Sequence, residues 1–194
     1  KVIIATGAIE RPLIFNNNDR PGILLSSAVK KYVDYYGVIA GKNSVIFTNN
    51  DTAYETTVSL FKKGVRINNI IDIRKKCSSN LINKVENLGI KIYWEHTIVD
   101  THGYKRLKKI SIMKLSDDAF SVVGNKINIE CDCLGISGGW TPAVHLFTQS
   151  GGKLKFREED NVFIPNKTQP DQISIGSCNG NFELDDLINN AIDD

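Results

Sequence analysis

Charge of one sign is what this sequence lacks most plainly: Lys and Arg number 24 against 22 Asp and Glu, a formal net charge of +2. A chain so close to neutral has no basic field with which to hold a nucleic acid or an anionic membrane surface. Methionine occurs once and proline five times, while Asn, Ile and Lys are abundant, a pattern that reads as genomic compositional bias. No apolar stretch approaches the roughly 20 residues of a membrane span, and no charged-then-apolar leader precedes a cleavage site. Cysteines are few: Cys77, Cys131, Cys133 and Cys178. None forms a Cys-x-x-Cys pair, and Cys131 and Cys133 flank Asp132, a spacing that suits neither a disulfide between them nor a redox pair. His96, His102 and His145 are scattered without the paired spacing that a zinc site needs. These absences predict reduced, mostly buried thiols in a cytoplasmic setting and no metal site. The chain does not begin with Met, which fits an excised piece of a longer protein.

What is present is a globular composition, 41% hydrophobic over 194 residues, enough to bury a core as one domain or two. The run Val2-Ile3-Ile4-Ala5-Thr6-Gly7-Ala8, followed by Glu10-Arg11-Pro12, is an apolar strand ending on small residues, where backbone can approach a ligand closely. Cys133-Leu134-Gly135-Ile136-Ser137-Gly138-Gly139-Trp140-Thr141-Pro142 repeats that grammar about 130 residues later. The two crossings frame the chain between them as an insertion. Residues 1–22 and 133–194 read as a partial outer nucleotide-binding-type domain, and 23–132 as an inserted NAD(P)-binding-like domain.

Inside the insertion, apolar positions from Leu25 to Tyr36 recur at helical spacing between Ser26/Ser27, a candidate N-cap, and Gly37, a candidate stop. Ser44–Thr48 reads as a strand, and Asp51 caps a following helix to Gly64. Ile70–Ile73 reads as the next strand, Ser78 or Ser79 caps a helix to Gly89, and Ile90–Trp94 is a third strand. This order, with short turns, predicts parallel strands joined by right-handed crossovers. From Thr97 the period changes to alternation through Thr97–Asp100, Leu107–Met113 and Lys126–Ile129, the pattern of an antiparallel meander. The tail reads as a strand, Ile173–Ile175, a glycine turn to Gly180, and a helix from Phe182 to Ile192. The fold class is therefore α/β: a Rossmann-like parallel sheet with helices plus an antiparallel β-meander, inserted into a partial FAD/NAD-type outer domain.

Dinucleotide chemistry would sit at the first turn of the inserted unit. There G-x-G-x-x-G lets amides at a helix N-terminus meet a pyrophosphate, and an acidic residue after the next strand meets a ribose hydroxyl. The turn here is Thr48-Asn49-Asn50-Asp51-Thr52-Ala53, with all three glycines missing and Asp51 negative at the positive end of the helix dipole. Asp72 is placed for the ribose role, with Arg74 and two lysines after it. That turn reads as a retained fold whose site has decayed or been reassigned. The candidate cofactor contacts are Thr6, Gly7, Ala8, Gly138, Gly139, Gly176, Asn179 and Asp72. No residue reads as catalytic, and His145 reads as a packing or surface histidine.

Ala5-Thr6-Gly7-Ala8, Arg11-Pro12, Asn17-Asn18-Asp19-Arg20-Pro21-Gly22, Val45 to Asp51, Ile71-Asp72-Ile73-Arg74 and Ser137 to Pro142 together resemble the α subunit of heterotetrameric sarcosine oxidase and related amine-oxidising flavoenzymes. The resemblance spans essentially the whole chain and matches a central portion of that subunit. It implies a two-dinucleotide-domain, flavoprotein-like module that holds NAD, with FMN at a subunit interface and FAD on a partner subunit. It also implies partner subunits of a heterotetramer, an N-methyl amino acid substrate, and oxidative demethylation of sarcosine to glycine. Electrons would pass to oxygen and the one-carbon unit to tetrahydrofolate. Two other readings stay open: an NAD(P)H-dependent reductase of the pyridine nucleotide-disulfide oxidoreductase type, and a non-catalytic module that docks subunits.

Overall fold

The computed structural model describes residues 1–182 and residue 188. In chain order the elements are β1 (Val2–Ile4), β2 (Ala8–Glu10), β3 (Ile23–Leu25), α1 (Ser26–Tyr36), β4 (Ser44–Thr48), α2 (Thr52–Lys62), β5 (Ile67–Asp72), α3 (Asn80–Asn87) and β6 (Lys91–Trp94). There follow β7 (His96–His102), β8 (Lys109–Leu115), β9 (Val122–Glu130), β10 (Cys133–Ser137), β11 (Trp140–Pro142), α4 (His145–Gln149), β12 (Lys153–Arg157), β13 (Val162–Lys167) and β14 (Gln172–Ser174). A 3₁₀ turn, Gly176–Asn179, closes the described chain. The expected tail helix from Phe182 lies outside the described residues.

Contacts divide the chain into two compact units, one of Pro12–Gly139 and the other of Lys1–Arg11 with Trp140–Asp194. In the first, five parallel strands stand in the order β3-β10-β4-β5-β6. Both β4 and β10 are buried at all five positions, because each face of the sheet is covered. On one face, Ile46, Ile70 and Cys133 pack with Val29, Tyr54, Leu60, Ile82 and Val85 of the three helices. On the other, Val45, Phe47, Ile71, Leu134 and Ile136 pack with Ile98, Ile110, Ile112 and Ile129 of the antiparallel sheet β7-β8-β9. Each such aliphatic or aromatic side chain stabilises by roughly 1.5–3 kcal/mol when fully buried. The predicted parallel sheet and meander are both present, and Cys131 and Cys133 face opposite cores because the chain bends at Asp132 between β9 and β10; on one regular strand residues two apart would share a face.

Three boundaries differ from expectation. Residues 12–22 and 133–139 fall with the parallel sheet, because β10 pairs with both β3 and β4 at the middle of that sheet. Helix α1 has Leu25 at its N-cap, with no side-chain cap bond, since Ser26 is already buried against the sheet. It stops at Gly37, whose φ of 63° and amide bonds to Tyr32 and Val33 carbonyls close the last turn. Gly135 leaves room for the neighbouring Ile46 on β4: a Cβ there would stand 2.7 Å from Ile46 Cδ1, and 3.6 Å, ordinary contact, from Ser26 Cβ of α1. By contrast the Ser79 cap is as expected, its hydroxyl accepting from the Ile82 amide.

In the second unit β1 pairs in parallel with β14, and β2 pairs antiparallel with β11. A hairpin, β12-β13, was not foreseen from sequence; it sets Phe156 opposite Phe163, ring centroids 5.2 Å apart. Ile4, Phe147 and Cys178 form its small core. Arg157 clamps Asp160 through two hydrogen bonds of 2.8 and 2.6 Å, and Arg11 donates to the backbone carbonyls of Asp160 and Asn161.

Candidate functional site

The C-terminal ends of the parallel strands line up in one row, Ser137 beside Thr48, Thr48 beside Asp72, and Asp72 beside Trp94. In open α/β sheets this is the ligand edge. The turn after β4 sits there, and its side chains fill the space that glycines would leave. Asn50 Nδ2 donates to Asn49 Oδ1 and to the carbonyl and hydroxyl of Ser137, each at 3.1 Å. Thr52 Oγ1 donates to Asn50 Oδ1 at 2.6 Å, and Thr48 Oγ1 both accepts from the Asn50 amide and donates to its carbonyl. The turn is thereby stapled to the end of β10.

Asp72 is fully buried, and both of its oxygens are engaged by this chain's own groups. Tyr54 donates its hydroxyl to Oδ2 at 2.8 Å. The Arg74 amide donates to Oδ1 at 2.9 Å, and the guanidinium donates through Nε to both oxygens and through Nη2 to Oδ2 at 2.8 Å. The remaining guanidinium nitrogen, Nη1, reaches Asp51 Oδ1 at 2.9 Å. Asp51 stands at the N-cap of α2 but makes no side-chain cap bond, since its carboxylate is turned to Arg74. The guanidinium also lies 5.9 Å from the Tyr54 ring centroid, and Tyr54 stacks on Trp94 at 6.2 Å.

This is an ion cluster of two carboxylates around one cation. Burial alone would ease the Arg74 proton off, but the hydrogen bonds and charge of Asp72, then of Asp51, more than offset it and hold the guanidinium protonated. Burial, followed by the Asp72 charge and hydrogen bond, pushes the Tyr54 hydroxyl well above its ordinary value, so it keeps its proton and donates it to Asp72. At the phosphate position the helix N-terminus carries Asp51, and at the ribose position Asp72 is spent. The residues present do not fit a dinucleotide in this unit.

The candidate residues therefore fall in two places. Asp72 and the Gly138-Gly139 pair lie along the same strand-end edge of the Pro12–Gly139 unit, separated by β4, with Gly138 buried. Thr6, Gly7, Ala8, Gly176 and Asn179 lie in the other unit. There β1 and β14 bring two small-residue strand ends together: the Ile175 amide donates to the Ile4 carbonyl, and a Cβ on Gly7 would meet Ser177 Oγ only at 3.9 Å. Thr6 Oγ1 donates to the Ala143 carbonyl at 2.6 Å. Two buried polar atoms on β14, Gln172 Nε2 and Ser174 Oγ, have no hydrogen-bond partner. His145 is exposed at the start of α4. Arg74 and Tyr54 were not singled out from sequence; the Asp-x-Arg spacing, which sets two side chains on one face of an extended segment, was the available signal for Arg74.

No family profile matches the chain. Individual proteins do. The chain is 35% identical over 185 residues to "Sarcosine oxidase subunit alpha" of Corynebacterium sp. (strain P-1), covering 94% of this chain and 19% of that protein. To the subunit of the same name from Rhizobium meliloti (strain 1021) it is 33% identical over 164 residues, covering 84% and 15%. It thus spans less than a fifth of the length of these relatives. Among solved structures, thioredoxin reductase of T. acidophilum aligns with a TM-score of 0.73 at 17% identity, over 97% of this chain and 61% of that one. L-proline dehydrogenase of P. horikoshii aligns at 0.63 and 20%, over 92% and 30%. A FAD-dependent pyridine nucleotide-disulphide oxidoreductase of Desulfovibrio vulgaris aligns at 0.63 and 15%, over 92% and 45%. At these identities the structural matches speak to the fold.

Proposed function

The chain is a relative of the sarcosine oxidase α subunits over part of their length, and from that premise we propose that it works as the two-unit nucleotide-fold portion of a flavoenzyme oxidoreductase. The reaction of the complete enzyme is the oxidative demethylation of sarcosine to glycine, or of a related N-methyl amino acid to its parent amino acid, with electrons passed to oxygen and the one-carbon unit to tetrahydrofolate. Partner subunits supply FAD and share FMN. The observation that carries this reading is the 35% identity over 94% of the chain.

Within that assembly the chain contributes binding and support, and the oxidation itself has no residue here to carry it. Thr6, Gly7, Ala8, Gly176 and Asn179 form the edge that would hold NAD in the outer unit, with Gly7 free to let a ligand approach its backbone. A nucleotide there would supply no oxidation step of its own. Gly138 and Gly139 keep the β10 turn small, and Asp72 positions Arg74 instead of a ribose. The domain reading is kept in modified form, with the inserted unit extended to Pro12–Gly139. The reductase alternative requires a nicotinamide nucleotide in the inserted unit, and the Asp51–Arg74–Asp72 cluster opposes it.

The complete protein, purified with its partner subunits, tests the reading in one set of measurements. We expect a flavin absorbance band, NAD released on denaturation, and oxygen uptake on adding sarcosine that is insensitive to NADH. Oxygen uptake or dye reduction driven by NADH without an amine would overturn it in favour of a reductase.

A further inference from the structure

Helix α1 buries Val29 and part of Val33 against the sheet, so ordinary amphipathic logic puts charged or small polar residues on its other side. The sequence instead puts tyrosines there. Tyr35 is 78% exposed and Tyr36 60%, and Tyr32, Val38 and Ile39 are exposed beside them. The rings of Tyr35 and Tyr36 meet edge to face at 5.2 Å, and those of Tyr32 and Tyr36 lie 6.2 Å apart. Two adjoining clefts of about 500 and 440 Å³ share Tyr32 and Val38, and a third of about 530 Å³ continues past Ile39 toward Arg66. The groove lies wholly within the Pro12–Gly139 unit.

Its charge is mostly of one sign, with one carboxylate, Asp132, lining the third cleft. Lys31 borders the first cleft, Arg106 the second and third, and Lys42 and Arg66 the third. Among the described residues no carboxylate stands within ion-pairing distance of these four. Asp132 accepts from the Lys42 and Asn43 amides and faces Arg106, which donates to its backbone carbonyl, and Asp34 is held by Lys30 and Lys63. Tyrosine and arginine around an apolar floor are the residues that dominate separable protein interfaces, and a contiguous exposed apolar patch with a polar rim marks such a site.

We infer that this face docks a partner subunit, through a surface that presents aliphatic or aromatic anchors ringed by carboxylates. The inference rests on the reading of the chain as part of a multi-subunit oxidase. Charge complementarity chooses the partner's chemistry: with Arg106 answered by Asp132, the three cations Lys31, Lys42 and Arg66 need acids opposite them, and a second copy of this face would bring cation against cation.

Tyrosine nitration and zero-length carbodiimide coupling, each applied to the complete α subunit alone and to the assembled enzyme, test it. Assembly should slow nitration of Tyr35 and Tyr36 by about tenfold or more, and coupling should join Lys31 or Lys42 to Asp or Glu of another subunit. Tyr35→Ser with Tyr36→Ser should weaken subunit association by about tenfold, since losing 1.4 kcal/mol is a factor of ten. Nitration unchanged by assembly, protection already complete in the α subunit alone, or coupling to a second copy of this chain would each overturn the docking site. Sarcosine-dependent oxygen uptake on the same assembly separates the two claims: protected tyrosines without amine oxidation refute the proposed reaction and leave the interface standing.

Discussion

Replacing Arg74 with Met, which keeps the aliphatic stem and removes the cation, would leave the Asp72 carboxylate buried with only the Tyr54 hydroxyl and the residue 74 amide as donors. Removing one partner of a buried ion pair costs about 3–5 kcal/mol, because the remaining charge has been taken out of water and is no longer compensated. A second estimate agrees: unit charges about 4 Å apart at an effective dielectric of 20 attract by about 4 kcal/mol. Arg74 itself keeps 30% of its side-chain surface in solvent, which lets water relax the site and favours the lower end. The expected loss is about 3 kcal/mol at pH 7. Its link to Asp51 adds little, because that carboxylate is half exposed and such pairs are worth about 0–1 kcal/mol.

Urea unfolding measures this directly. Trp94 stacks on Tyr54 within the cluster, so its fluorescence in a Trp140→Phe background reports the unit in question. With a slope of about 1.5–2 kcal/mol/M, a 3 kcal/mol loss lowers the midpoint by about 1.5–2 M. A double-mutant cycle with Asp72→Asn isolates the pair: Asp72→Asn alone should cost about 2 kcal/mol, and the double variant should fall short of the sum by about 2 kcal/mol. If Arg74→Met costs under 1 kcal/mol, or if the two losses add within about 0.5 kcal/mol, the cluster is a screened surface pair and the account of the site is wrong.

Calorimetric titration of this chain by itself with NAD or FAD should give no dissociation constant at or below micromolar: the inserted unit's turn is closed by its own side chains, the small-residue edge around Gly7 and Gly176 supplies only peripheral contacts, and association must first overcome several kcal/mol of lost freedom. Micromolar or tighter binding would overturn this, and Asp72→Ala would then report whether the inserted unit is responsible. At alkaline pH, burial pushes the Cys131 thiol up to about 12, whereas an unfolded thiol titrates near 8.5. With the folded value raised, that stabilisation is complete below about pH 8.5 and is lost as pH climbs toward 12, by up to about 1.4 kcal/mol per unit. Unfolding midpoints at pH 8 and 10 should therefore diverge less in Cys131→Ala than in the parent, and equal divergence refutes the assignment. Gly135→Ala would drive a Cβ to 2.7 Å from Ile46 Cδ1, the tip of a fully buried side chain, and should cost about 1–3 kcal/mol, read as a lower melting temperature; an unchanged melting temperature would mean that Ile46 repacks without penalty.

The layer order was legible because burial on two faces writes itself as an unbroken apolar run. Ser44–Thr48 and Cys133–Ser137 are such runs, and they are the fully buried strands, whereas Thr97–Asp100 and Lys126–Ile129 alternate and belong to the meander on one face. The pairing of Cys133–Ser137 is not written in its sequence for a related reason: an apolar run says that both faces are covered, and it is silent about which neighbours supply the hydrogen bonds. Those turned out to be β3 and β4. The Lys153–Lys167 hairpin shows the opposite limit, since its faces are largely exposed and its alternation carries charged and aromatic residues in place of a clean apolar stripe.

The strand-end site was half legible, and the half that escaped is the one that decides its chemistry. Asp51 was read as a charge that repels a diphosphate, and Asp72 as a charge that invites a ribose; taken separately, each follows from its position in the chain. Both carboxylates answer to the same guanidinium. Extended geometry from Asp72 to Arg74 sets those two side chains on one side, β5 beside β4 brings that side against the α2 N-terminus, and Tyr54, three residues into the same helix end, completes the cage from above. Once the cation is counted, Asp51 ceases to be an isolated repulsive charge and Asp72 ceases to be an available acceptor. Removing Asp51 alone therefore would not create a nucleotide site, because the ribose position stays filled until Arg74 leaves as well.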